Sequence, residues 1–256
     1  MRIGLCGPIS QIDEIAKIGF DYIEPTVVSV VQMDSTEYKE ALKKAKEAGI
    51  GCEVFNVLFP GDIRLIGPET DLYKVEEYLK GALDRIAGLG AQVVVFGSGG
   101  ARKIPADLTL GDGWNELVEV ARLMGKLARQ YDIVVAVEPL NKRETNIITS
   151  LAQGIKFVDD VGHPNIKLLA DFYHMRMEGE PMEAIRQTTA DILVHGHIAN
   201  GQGRTIPLDK YEDVYRDFFL SLNSIGYRGR VSIEASTKDI KKEGPIALDL
   251  LRTLLP

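Results

Sequence analysis

Four residues in the second half of the chain have the types and placing needed to hold a cation and move protons: Glu138, Asp171, His197 and Glu234. Each closes a short, largely apolar run (IVVAVE, IKLLAD, ILVHGH and RVSIE). Three hard oxygen donors and one imidazole suit a divalent Mn²⁺, Mg²⁺ or Co²⁺ ion better than structural zinc, which favours thiolates. Taken alone, a carboxylate at a strand end is ordinarily solvated or salt-bridged, and a histidine on a strand is ordinarily a hydrogen-bonded core residue. Recurrence at one level on four successive runs sets this group apart. Glu138 also opens the segment EPLNKRE, where a proline turn precedes a second acid, Glu144.

Such a group needs a scaffold that brings four strand ends to one rim. The chain alternates β-branched runs with amphipathic ones, and strands are expected over 2–6, 22–25, 51–57, 91–96, 133–137, 166–171, 192–197 and 230–234. Helices are expected over 9–18, 72–89, 113–130, 150–160, 182–190, 208–224 and 240–254. A further helix starts at Asp34, with Glu37 placed to complete a capping box. Gly19, Gly49, Gly90 and Gly226 stand where helices turn back into strands, a place for left-handed backbone. Eight strand–helix units point to an α/β fold, a single (β/α)₈ TIM barrel spanning residues 1–256. A doubly wound sheet is the rival, but the turn after the first strand reads GPISQ and lacks the Gly-rich dinucleotide fingerprint. In barrels of this kind the catalytic groups stand on the C-terminal ends of the strands.

Composition narrows the function classes. Lys and Arg total 30 against 37 Asp and Glu, a net charge of −7 with no basic stripe, which argues against a nucleic-acid binder. Two cysteines, Cys6 and Cys52, make no disulfide framework and fit a reducing cytoplasm. The opening MRIGLCGPIS is broken by Gly7 and Pro8 too early for a signal peptide, and no apolar run reaches membrane-spanning length. A cytoplasmic protein with no membrane partner is expected.

The motifs EPLNKRE (Glu138, Asn141, Glu144), DFYH (Asp171 to His174), His197 with Arg204, and VSIEAS (Glu234) carry a resemblance. The chain resembles the sugar phosphate isomerase/epimerase superfamily of xylose isomerase-like barrels, and within it the ketose 3-epimerases of the D-tagatose 3-epimerase type. The resemblance covers nearly the whole chain, with its specific motifs after residue 130. It implies that Glu138, Asp171, His197 and Glu234 bind one divalent ion, Mn²⁺ foremost, with Mg²⁺, Co²⁺ or Zn²⁺ as alternatives. It further implies that Glu138 and Glu234 exchange the proton and that His174, Glu144 and Arg204 contact the sugar. A small-molecule sugar partner and a dimeric or tetrameric homo-oligomer also follow from it. The N-terminal half is short for that family and the loop after His197, HIANGQGRTIP, is compact, so the particular sugar stays open.

The chemistry is consistent with that expectation. Moving a hydrogen on the carbon beside a carbonyl takes a base on one face and stabilisation of the enediolate oxygen. Epimerisation also takes a proton donor on the opposite face, and strands five and eight of a barrel are not neighbours, so their carboxylates can flank one carbon. The same carboxylates can serve an aldose–ketose isomerase of the hydroxypyruvate or xylose type, or an inosose-type dehydratase. A non-catalytic sugar-binding protein is the reading from another class. A triple-zinc DNA endonuclease would need more ligands than four histidines readily provide, and a basic face.

The remaining candidates are weighed by position. His195 points inward one layer below His197, and Ser232 stands in the same relation to Glu234 and is expected to pair with it. Glu24 and Asn56 close the second and third strands, serving either substrate or loop backbone, and Cys6 is placed to line the pocket. Trp114 is expected to pack its helix and His163 to be inert. The segment FGSGGAR (96–102) lacks Walker spacing and reads as a mobile loop, while 200–204 is a candidate anion loop that keeps a phosphorylated sugar open.

Overall fold

Side chains alternate in direction along a strand, so each strand of a barrel feeds one interior and one outer core. The computed structural model describes residues 1–256 and places the strands at β1 (Arg2–Cys6), β2 (Tyr22–Glu24), β3 (Val54–Phe55), β4 (Val93–Phe96), β5 (Val134–Val137), β6 (Ile166–Asp171), β7 (Leu193–Ile198) and β8 (Arg230–Ile233). All eight are parallel, in the order β2-β1-β8-β7-β6-β5-β4-β3. The barrel closes between β2 and β3 through two isolated parallel bridges, Tyr22 with Gly51 and Thr26 with Asn56. The expected TIM barrel is the fold observed.

The connecting helices are α1 (Ile12–Ile18), α2 (Val27–Gln32), α3 (Ser35–Glu47), α4 (Leu72–Gly88), α5 (Leu110–Ala128), α6 (Leu151–Val161), α7 (Phe172–Met177), α8 (Tyr215–Ser224) and α9 (Ile240–Leu254). Asp34 and Glu37 form the capping box of α3. Gly19, Gly49, Gly90 and Gly226 all have positive φ, as the helix-to-strand turns require. No helix is long and apolar enough to cross a membrane.

The apolar residues divide as the alternation demands. A cluster of 65 buried residues is the main core, and a separate group of six (Tyr22, Val54, Val93, Val95, Ala136 and Leu169) fills the barrel's interior. Below them Glu53 accepts from Arg2 Nη1 and Arg230 Nε, both at 2.5 Å. Gly4 is required by this interior, because a Cβ there would lie 2.3 Å from the buried ring of Tyr22. Gly4→Ala is expected to destabilise the fold by about 1–3 kcal/mol through overpacking. Urea unfolding would read this, and an unchanged midpoint would contradict the tight fit.

Several elements depart from the sequence reading. The helix expected over 208–224 begins only at Tyr215. Before it, Glu212 and Asp209 side chains take the amides of Leu208 and Tyr211, local bonds that compete with a helix. The stretch expected as a helix over 182–190 is a 3-10 turn, Met182–Gln187. Two short helices were not foreseen. In α2 the β-branched VVSVVQ is held helical by the Thr26 cap and by burial of Val27 and Val30. α7 follows β6 directly, with the Asp171 side chain accepting from the His174 amide at 3.0 Å.

Candidate active site

The two-residue step that puts Val95, Ala136 and Leu169 inside the barrel puts Gly97, Glu138 and Asp171 inside at the next level up. The same step carries Tyr22 to Glu24, Val54 to Asn56, His195 to His197 and Ser232 to Glu234. The C-terminal rim is therefore lined from all sides by one interior layer, and most of its members are polar and buried.

Glu138, Asp171, His197 and Glu234 are brought together by this layer, their ligand-capable atoms all within 4.8 Å of one another. His197 Nδ1 is the hub. It lies 3.3 Å from Glu138 Oε1, 3.7 Å from Asp171 Oδ2 and 3.2 Å from Glu234 Oε2. Ligands at about 2.0–2.2 Å from a common cation stand roughly 3–4 Å apart, so the spacing fits one ion. Three converging carboxylates also carry more negative charge than the neighbouring cations offset, which a divalent ion would relieve.

The electrostatics follow from that crowding. Burial pushes the Glu138 carboxyl up, the Glu234 and Asp171 charges add to it and His197 opposes it, leaving it at about 7. Burial opposes ionisation of Asp171 and Glu234 as well, but the neighbouring His174, His197 and Arg204 hold Asp171 low, and His197 and Arg204 hold Glu234 low. Burial pushes His197 down, and the surrounding acids outweigh it, so its imidazole is raised well above the ordinary range.

Each acid of the pair Glu138 and Glu234 turns one oxygen to His197 and the other away. Glu234 Oε1 accepts from Asn56 Nδ2 at 3.3 Å, on the β3 side. Glu138 Oε2 lies toward β4, where a Cβ on Gly97 would sit 2.3 Å from it. The segment FGSGGAR thus packs against EPLNKRE. Gly97 leaves room for the Glu138 carboxylate, and a Cβ on Gly99 would meet the Glu144 carbonyl oxygen at 2.8 Å. Arg102, fully buried, donates to the carbonyls of Phe96 at 3.1 Å and Glu138 at 2.6 Å.

The other three candidates also face this centre. His174 is buried, and its Nδ1 accepts from the Asn141 amide at 3.1 Å. The proton therefore sits on Nε2, which has no protein partner and lies 3.9 Å from both Glu138 Oε1 and Asp171 Oδ2. Arg204 pairs with Glu234, stacks on the Tyr173 ring at 4.9 Å and stands 3.6 Å from Glu144. Glu144 Oε1 in turn accepts from Asn141 Nδ2 at 2.9 Å. Asn141 orients both the histidine and the acid.

Glu24 is the residue that sequence reasoning left undecided. It is fully buried and accepts from His197 Nε2 at 2.8 Å, His195 Nε2 at 2.9 Å and Ser232 Oγ at 2.5 Å. Burial opposes its ionisation, but the two histidines outweigh that and hold its carboxyl far below the usual range. Ser232 thus pairs with Glu24 and with Tyr22, at 2.7 Å, rather than with Glu234. The neighbouring trio Cys6, Glu24 and His197 is also within 4.8 Å, but there the carboxylate is taken up by these hydrogen bonds. The signal for Glu24 was its even offset from Tyr22 along one strand.

A cavity of about 410 Å³ opens over this layer, lined by Cys6, Thr26, Asn56, Val57, Arg204 and Glu234 among others. A larger one, about 1010 Å³, lies between α5 and α6 around Trp114 and contains none of the clustered ligands. Trp114 itself packs edge-on against Phe157 and donates to Asp160.

Residues 12–254 match the profile of the xylose isomerase-like TIM barrel family. The chain belongs to that family. Among its relatives is an L-ribulose 3-epimerase from Methylomonas sp. (strain DH-1), 26% identical over 88% of this chain and 77% of that protein. A D-psicose 3-epimerase from Agrobacterium fabrum is 27% identical over 93% of this chain and 82% of its own length. In three dimensions this xylose isomerase-like barrel is similar to a D-psicose 3-epimerase crystallised in the presence of D-fructose. The TM-score is 0.88 at 22% identity, covering 100% of this chain and 99% of that one, a likeness of fold.

Proposed function

We propose that this chain is a metal-dependent isomerase that epimerises a free ketose at C3 by proton exchange. The observation that carries the reading is the placing of Glu138 and Glu234. They come from non-adjacent strands, converge on His197 Nδ1 through one oxygen each, and keep a second oxygen directed elsewhere. The relatedness to L-ribulose and D-psicose 3-epimerases over most of the chain supports it.

Glu138, Asp171, His197 and Glu234 would hold the ion, Mn²⁺ by preference. Bound there, it would act as a Lewis acid toward the sugar's carbonyl and hydroxyl oxygens and acidify the neighbouring C–H. One of the two glutamates takes the C3 proton and the other returns one to the opposite face. His174 offers Nε2–H to a sugar oxygen, Arg204 holds developing negative charge, and Glu144 accepts from a hydroxyl. Arg204 is the only cation lining the mouth cavity and is already paired with Glu234, which favours an unphosphorylated sugar over a sugar phosphate.

The test is a panel of ketoses and ketose phosphates incubated in D₂O with Mn²⁺ or with EDTA and followed by NMR. Deuterium at C3 of a free ketose, lost with EDTA, is the expected result. Label at C1 or C2 would make the enzyme an aldose–ketose isomerase, and binding without exchange would make it a sugar-binding protein.

Mn²⁺ binding is expected to depend on pH in a defined direction. With its carboxyl at about 7 in the metal-free protein, Glu138 is protonated below that pH and must lose the proton to bind, as must His197, whose imidazole is also raised. Affinity should fall about tenfold per pH unit below 7 for each proton displaced. Calorimetry in two buffers of different ionisation heat would read the release, and pH-independent affinity between 5.5 and 7 would contradict it.

A further inference from the structure

We propose that Glu24 is a positioning residue that sets His197 as an Nδ1 donor toward Glu138, Asp171 and Glu234. The inference rests on the metal-site reading above and extends it to a residue outside the ligand set. An ionised carboxylate only accepts hydrogen bonds, so the His197 nitrogen at 2.8 Å from Glu24 Oε1 carries a proton. That leaves Nδ1, the nitrogen facing the three acids, as the one that would give its lone pair to an ion once the ion displaces its proton.

Glu24 is itself fixed from below. Its Oε2 takes the Ser232 hydroxyl and His195 Nε2, and with the Ser232 proton committed to Glu24, Tyr22 donates to Ser232 at 2.7 Å. The Tyr22 ring lies over Gly4, where no side chain could fit. A continuous set of buried contacts thus runs from the barrel interior through Tyr22, Ser232 and Glu24 to His197. Imidazole ligands are ordinarily oriented by a carboxylate on their second nitrogen, and removing it costs about 10–100-fold in metal affinity. Both Glu24 oxygens are taken up by His197, His195 and Ser232 rather than turned to the three acids. Its contribution is the tautomer and ring direction of His197.

The experiment compares Mn²⁺ binding to metal-free wild-type protein and Glu24→Gln, by calorimetry and by EPR of free Mn²⁺, with far-UV CD as the folding control. Glu24→Gln is expected to raise the Kd about 10–100-fold and to recover much of its turnover at saturating Mn²⁺. Long-range ¹H–¹⁵N NMR of the protein loaded with diamagnetic Mg²⁺ should show His197 protonated at Nε2 in the wild type, and a proton on Nδ1 instead would overturn the inference. Should Glu24→Gln fail to fold, Ser232→Ala keeps the carboxylate and removes one of its restraints, and a smaller rise in Kd is expected. A folded variant that binds Mn²⁺ as tightly as wild type overturns the inference while leaving the metal site standing. Wild-type protein that binds no Mn²⁺ overturns the metal-site reading and this inference together.

Discussion

Replacing Glu234 by Gln is expected to lower epimerase turnover by about 10²–10⁴-fold, the usual loss when a positioned acid/base group is removed. Glutamine keeps the shape and one oxygen but cannot take or return a proton. The same loss is expected for Glu138→Gln, and the two variants should differ in a telling way. Each retains the group on only one face of the sugar, so each should exchange deuterium with one C3 epimer and leave the other unlabelled. Mn²⁺ binding measured alongside separates lost proton transfer from lost ligation, since both glutamates belong to the proposed ligand set. Wild-type turnover by Glu234→Gln with metal bound would sink the two-carboxylate assignment. Exchange into both epimers by both variants would point to a different base.

Gly97→Ala is expected to cost about 10²-fold in kcat, the scale set by an ångström of misplacement at a reacting group. The added Cβ would fall 2.3 Å from Glu138 Oε2, so the carboxylate must turn or shift. The neighbouring Leu140 side chain, 3.6 Å away, is ordinary contact. The effect should therefore fall on activity rather than on the fold. Gly100→Ala is the matched control, because nothing lies within 4 Å of a Cβ at that position, and it should leave kcat unchanged. Equal activity in the two variants would mean that Glu138 is free to relocate and that the Gly97 contact is not what aims it.

These two experiments draw on different kinds of information. Glu138 and Glu234 stand out in the chain because each ends an apolar run, and strand alternation assigns them to one rim without any coordinates. Gly97 could not be read that way. Within FGSGGAR it reads as part of a mobile loop, and its reason for being glycine is a carboxylate 41 positions further along the chain. The missed helix α7 has a similar cause. The run DFYH carries no long amphipathic period, and the Asp171 cap that starts the helix also delivers His174 to the site.

What the sequence by itself determined is local and periodic: eight strand–helix units, the glycines that turn helix into strand, and the four ligand-capable residues at strand ends. Those features are written in spacings of two to four residues, the range over which backbone geometry acts. What only the tertiary structure decided is the set of contacts across the barrel. Glu24 meets His197 over a separation of 173 positions, and Asn56 meets Glu234 over 178. Closing the barrel makes such residues neighbours, and no local periodicity records which of them will share a proton.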